Sequence, residues 1–181
     1  MKNRIVACFL AIIMVLYMFI TIVPAVFAQD DTITISSEDD FINFSKQCTL
    51  DTWSQGKTVN LTCNLDFSKK EFLSVPTFGG TFNGNGYIIS GINISKNGSY
   101  LGVFRYIQNG GKVTSLNVKA NIIPNGSKSF IGGITGENSG IIEQCTFDGT
   151  VKGENAIGSI AGSNTDNGQI VACTSSGNIV G

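Results

Sequence analysis

The chain has 181 residues, of which 14% are charged, with 12 basic and 13 acidic side chains and a net charge of −1. That length allows one domain plus a targeting segment, and the even balance excludes the basic stripe of a nucleic-acid binder and the polybasic patch of an anionic-membrane binder. Histidine is absent, which excludes Ser-His-Asp and Cys-His catalysis as well as zinc sites that need imidazole.

Lys2 and Arg4 precede an apolar run from Ile5 to Val23, followed by Pro24 and then Val26-Phe27-Ala28. A basic start, an apolar middle and small residues at −3 and −1 describe a secretory signal over residues 1–28, cleaved after Ala28. An uncleaved anchor is the alternative, because about 19 apolar residues can span a bilayer. Removing Lys2 and Arg4 leaves 10 basic against 13 acidic residues, a net charge of −3 for the mature chain.

Residues 29–56 read as a lead-in segment with a helix. Ser36-Ser37-Glu38-Asp39-Asp40 offers a serine N-cap and three carboxylates for the first turn's dipole, and Phe41 and Phe44 share one face before the helix ends near Gln47. Such a helix is expected to cover the open apolar end of a repeat array.

Residues 57–181 carry the repeats. Val59, Leu61, Cys63, Leu65 and Phe67 alternate with polar residues, as in one half-buried strand. Thr81–Gly86 (TFNGNG) reads as a turn, and beyond it Ile88, Ile92 and Ile94 are expected to face one way. Gly132, Ile134, Gly136 and Asn138 recur at a spacing of 26 as Gly158, Ile160, Gly162 and Asn164. After a two-residue insertion, Gly140, Ile142, Cys145, Gly149 and Val151 recur at a spacing of 28 as Gly168, Ile170, Cys173, Gly177 and Ile179. Gly102, Gly111, Val113, Leu116, Val118 and Ile122 align one repeat earlier, and Gly86-Tyr87-Ile88 aligns in turn with Gly111-Lys112-Val113. The periodicity predicts an all-β, right-handed parallel β-helix (a solenoid) of about four to five coils with a short N-terminal capping helix. A sandwich accounts for short strands but not for equivalent positions that hold identical residues. An uncapped final coil is expected to pair with further repeats or with another chain.

Four cysteines remain after cleavage: Cys48, Cys63, Cys145 and Cys173. Cys145 and Cys173 are repeat equivalents, expected as thiols stacked in the core about 4.8 Å apart, with Cβ vectors pointing alike and therefore poor disulfide geometry. Cys48 and Cys63 are the better candidates for a bridge.

The blocks FIGGITGENSGIIEQCTFDGTVKG and AIGSIAGSNTDNGQIVACTSSGNIVG, at residues 130–153 and 156–181, resemble the GLUG motif of bacterial surface and secreted proteins. TVNLTCNLDFS, FGGTFNGNGYIISGINIS and GSYLGVFRYI look like the coils that precede such repeats. The resemblance covers Thr32–Gly181. It implies a right-handed parallel β-helix used as a stalk, adhesive or binding module, in some cases within IgA-specific metallopeptidases. The His-Glu-x-x-His helix of those peptidases has no counterpart here, so no catalytic residue carries over.

Five aromatic residues are candidates for stacking on sugar rings: Trp53, Tyr87, Tyr100, Phe104 and Tyr106, with a place for Phe104 in the core as its alternative. Trp53 packing the cap helix is the structural alternative. Paired carboxylates on adjacent coils would instead mark a polysaccharide lyase or glycoside hydrolase, with Glu137 and Asp166 sharing one edge as the pair to inspect. Turns rich in Asp and Asn around Asn164, Asp166 and Asn167 raise calcium, although an asparagine ladder through Asn138 and Asn164 accounts for the same residues. The sequence therefore predicts an exported, non-enzymatic β-solenoid without cofactor or metal. It would be secreted or held at the cell surface, serving adhesion, binding or spacing, with a carbohydrate or a host or cell-envelope ligand as partner. A polysaccharide-active β-helix enzyme is the alternative.

Overall fold

A computed structural model describes residues 31–126 and 129–181. The predicted signal segment, residues 1–28, lies outside the described residues. Thr32–Gly181 forms one compact unit, a parallel β-solenoid of about five turns. Three faces of stacked strands enclose one apolar interior.

The first face holds Thr32–Ile35, Thr58–Leu61, Thr81–Asn83, Lys112–Thr114, Ile141–Glu143 and Gln169–Val171, in that order. The second holds Leu65–Asp66, Ile88–Ile94, Asn117–Ile122, Thr146–Lys152 and Thr174–Val180. The third holds Val75–Phe78, Phe104–Ile107, Thr135–Asn138 and Ala161–Asn164. A narrower pair, Ser129–Gly132 on Asn155–Gly158, lines the turn from the second face to the third. All of these pairings are parallel, so each coil passes through the faces in the same order and hydrogen-bonds edge-on to the next.

On the first face Thr58 pairs with Thr81, Thr81 with Lys112, Lys112 with Ile141 and Ile141 with Gln169, so successive steps along the chain are 23, 31, 29 and 28. The late coils keep the expected register. Asn138 pairs with Asn164, and Ile142 with Ile170, at the spacings of 26 and 28 read from the sequence. The two-residue insertion falls in the loop Thr165-Asp166-Asn167, outside the ladder.

The early coils differ from expectation in three places. Thr81–Asn83 is a strand of the first face, with Phe82 wholly buried, so the turn begins only at Gly84. Gly86-Tyr87-Ile88 therefore does not align with Gly111-Lys112-Val113; Phe82 stands opposite Val113 instead, and Ile88 opposite Asn117. The alternation from Val59 to Phe67 is not one strand. It bends at a corner, where Cys63 is only half-buried, and resumes as Leu65–Asp66 and a 3-10 turn over Phe67–Lys69. Nor do Ile88, Ile92 and Ile94 share an inward face: Ile89 and Ile92 are the buried pair, because the register shifts between them. That bulge places Gly91 at φ 70°, where a Cβ would come within 2.3 Å of the Ser68 nitrogen.

Helix α1 spans Glu38–Gln47. Its N-cap is Ser37, whose hydroxyl accepts from the Asp40 amide at 3.2 Å. The Asp40 carboxylate accepts in return from the Ser36 hydroxyl and amide at 2.8 and 3.0 Å, and these bonds hold its pKa below the usual aspartate value. Phe41 and Phe44 are buried, and Phe44 makes edge and tilted ring contacts with Phe78, Phe82 and Trp53.

Two sets of corners are made by non-glycine residues in the left-handed region. Asn85, Ser115, Gln144 and Ala172 have φ of 50–53° where the first face turns into the second. Tyr100, Phe130 and Ala156 have φ of 58°, 60° and 52° on the approach to the third. Each such residue costs about 1–2 kcal/mol against the right-handed form. The ladder offsets that cost by satisfying the corner amides: Ser115 donates to Glu143 and Gln144 to Val171, both at 3.0 Å.

Candidate functional site

The third face carries an open groove of about 700 Å³. Its floor is an outward column running across three coils, in which Thr77, Tyr106 and Glu137 stand in register. The loop after α1 supplies one wall. Gln55 Nε2 donates to Gln108 Oε1 at 3.4 Å, and Gln108 Nε2 donates to the Asp51 carbonyl at 3.0 Å, tying that loop to the solenoid. Asn109, Ser139 and Asn167 line the opposite side, where Thr165 donates to Ser139 at 3.0 Å.

Arg105 borders this groove and a second, narrower hollow beside Leu73, Ile94 and Leu101. Its Nε donates to the Tyr100 carbonyl at 3.3 Å and its Nη2 to the Ser99 carbonyl at 3.4 Å. The guanidinium lies 5.9 Å from the centre of the Tyr106 ring, within cation–π range. Among the described residues Arg105 makes no ion pair, unlike Lys70, Lys96, Lys112 and Lys119, which face Asp39, Glu71, Glu143 and Asp148. Its charge is thus fixed in place by carbonyl dipoles and remains available to an oxygen from outside. Burial raises the pKa of the Tyr106 hydroxyl, with Arg105 acting the other way, so the phenol is neutral near pH 7 and able to donate.

Of the five aromatic candidates, the structure joins two and buries Phe104 wholly in the core. Tyr100 and Tyr106 have ring centres 4.8 Å apart. Trp53 is half-buried against Phe44, with the Lys57 ammonium 5.5 Å over its ring, and serves the packing of the helix. Tyr87 is half-buried on the core and makes no ring contact with the others. Phe130 is not among the sequence candidates, yet its ring stacks on Tyr100 at 4.5 Å and 6°. The sequence does hold a signal for it, because Tyr100 and Phe130 stand at the same offset as Gly102 and Gly132. Close approach of these corners to the third face depends on Gly136, where a Cβ would lie 2.4 Å from the Tyr100 carbonyl carbon.

Glu137 and Asn167 line the groove together, whereas Asp166 is exposed outside it. Asn138, wholly buried, donates through Nδ2 to Asn164 Oδ1 at 2.8 Å, and Asn164 donates to the Gly168 carbonyl at 2.8 Å. These amides form the expected ladder, with the Asn164 oxygen already engaged. Among the described residues no group of three or more acidic or cysteine side chains is arranged to hold a metal. The four cysteines among the described residues are free thiols. Cys48 is buried, while Cys63 donates to the Ser36 carbonyl at 3.1 Å, so the bridge expected between them is not formed. Cys145 donates to Glu143 at 3.3 Å and Cys173 to Val171 at 3.4 Å, equivalent bonds on successive coils.

No protein-family model matches the chain, and no solved structure matches it either. Two long proteins share part of its sequence. A "Putative Gly-rich membrane protein" of Evansella cellulosilytica is 36% identical over 73 residues, 39% of this chain and 8% of that protein. "Halomucin" of Haloquadratum walsbyi is 32% identical over 93 residues, 50% of this chain and 1% of that protein. The chain thus spans less than a tenth of either relative, and what it is similar to in each is a short stretch of a much longer polypeptide.

Proposed function

We propose that the chain is a non-enzymatic binding module of an exported or cell-envelope protein, and that it holds carbohydrate in the groove of the third face. The observation that carries this reading is the pairing of the Tyr106 ring with the ion-pair-free guanidinium of Arg105 on a rigid floor. An aromatic face takes the apolar side of a sugar ring, and a fixed guanidinium with Glu137 and Gln108 beside it offers donors and acceptors to hydroxyls. The names of the two relatives, one called a membrane protein and the other a mucin by its name, support a place at or outside the envelope. The resemblance to GLUG repeats supports a stalk or adhesive role alongside binding.

Three structural readings belong to the same proposal. The signal segment is cleaved after Ala28. The coils wind right-handed, as parallel crossovers almost always do. Helix α1 acts as the cap of the first coil, which its buried Phe41 and Phe44 support.

Isothermal titration of the full protein against a panel of neutral and acidic oligosaccharides tests the reading. Binding of at least one glycan, weakened about tenfold or more by Tyr106→Ala with the melting temperature unchanged, is expected. Absence of glycan binding would remove the proposal, and depolymerisation of a glycan by the wild-type protein would move it to the polysaccharide-active class.

A further inference from the structure

We propose that the surface over Ala156 is a pyranose subsite, which takes one ring of a gluco-configured β-glycan on the far face of Phe130. This rests on the reading of the groove as a carbohydrate site and adds to it a position and a sugar class.

Tyr100, Phe130 and Ala156 are equivalent positions on three successive coils. Leu101 bridges to Ile131, and the pairs Ser129–Asn155 and Ile131–Ile157 place Phe130 opposite Ala156. All three have left-handed backbone, so their side chains leave the solenoid in the same direction. Coils are spaced about 4.8 Å apart, and the first two rings use that spacing, lying parallel within 6° at 4.5 Å. On the third coil Ala156 is exposed and carries only a methyl group. The column therefore begins as two stacked rings and continues with no ring.

The backbone does not ask for aromatic residues here. Left-handed positions favour glycine or asparagine, and a bulky side chain there is a strained choice that clusters at functional sites. Tyr100 and Phe130 occupy such positions, and their rings remain half-buried rather than entering the core. The stack is thus better explained by what its open side receives than by folding.

The occupant must be flat, about one coil thick, apolar on its faces and polar at its rim. A pyranose whose substituents are all equatorial meets these terms. Its axial C–H groups cover both faces, while an axial hydroxyl, as at C2 of mannose, would meet the ring with a polar group. Exposed Glu154 and Asn155 precede Ala156 and offer an acceptor and an amide to the equatorial hydroxyls. On the other side of the stack Tyr100 meets Tyr106 of the groove, with ring centres 4.8 Å apart.

The test is titration of the full protein with cellohexaose and, separately, mannohexaose. Ala156→Tyr supplies the third ring and is expected to weaken cellohexaose binding about tenfold without lowering the melting temperature. Phe130→Leu keeps bulk but removes the flat face, and is expected to weaken it as much. Mannohexaose is expected to bind at least tenfold more weakly to the wild type. Wild-type affinity in Ala156→Tyr and Phe130→Leu, with loss in Tyr106→Ala, would overturn the subsite and leave the groove standing. Unchanged affinity in all three variants would overturn both. Tighter binding of mannohexaose, or no binding of cellohexaose, would overturn the sugar class.

Discussion

From α1 to Phe104 six buried phenylalanine rings join the aliphatic residues of the interior, whereas from Ile131 onward, among the described residues, Phe147 is the one buried ring. Phe41, Phe44, Phe67, Phe78, Phe82 and Phe104 meet through ring centres 5.4–6.3 Å apart. The late coils stack Ile131, Ile134, Ile142 and Val151 instead. Coil length varies in both parts. Steps on the first face are 23 and then 31 in the ring-filled part, and 29 and 28 in the aliphatic part. On the third face the steps from Val75 to Phe104, Thr135 and Ala161 are 29, 31 and 26, so the late coils too absorb insertions in their loops.

Four predictions break or sharpen this contrast. The largest effect is expected from Phe82→Ala, because Phe82 is wholly buried and its ring touches those of Phe44, Phe78 and Phe104. A loss of about 3–5 kcal/mol in urea unfolding is expected. A loss under about 1 kcal/mol would mean that the ring-filled part is not a cooperative unit. Next comes Asn138→Ala in the regular part. It removes donors to Gly140, Asn164 and Gln169 together with an acceptor for the Gly140 amide. About 1–3 kcal/mol should be lost, and clearly less for the more exposed Asn164→Ala. Ile142→Val trims one methylene from the aliphatic column and should cost about 1 kcal/mol, with an unchanged denaturant slope as the sign of intact packing.

The smallest effect at neutral pH belongs to the thiols, one buried in each part. Burial pushes Cys48 and Cys145 from 9.0 up to about 12. The folded state thus favours their neutral form. The associated stability is complete below pH 9 and fades as pH rises toward 12. Melting temperature should fall over that window, and Cys48→Ala with Cys145→Ala should flatten the fall. A disulfide reagent at about pH 8 is expected to label Cys63 and Cys173 in the native protein and the other two only after unfolding. Rapid native labelling of Cys145 would show the late coils opening far more readily than the early ones.

The same contrast separates what the sequence discloses from what it hides. Ile142, Cys145, Val151 and Asn138 sit in identical chemistry on consecutive coils, so spacing alone is enough to set their register. Phe82 does not reveal itself, because TFNGNG has the composition of a turn while only its second half turns. Gly91 hides a bulge inside an apolar run, and Cys63 sits at a corner inside an apparent alternation. In the site, Tyr100 and Tyr106 are legible as candidate aromatics. Their juxtaposition is not, since it depends on left-handed corners built from Tyr and Phe, which carry none of the glycine signal that marks such corners. Trp53 and Tyr87 share the composition of a sugar platform but face the packing of the helix and the core.

The strands run across the axis of the stack, and neighbouring coils are joined by parallel ladders. A pull along that axis loads those ladders in series, so the coil with the weakest ladder lets go while the rest stay wound. A released coil such as the stretch from Ile141 to Gln169 extends to roughly 90–100 Å, against about 4.8 Å when stacked. Built into a long tether, such a module would lengthen about twentyfold in discrete steps under tension. It would absorb a shock before the whole array gave way.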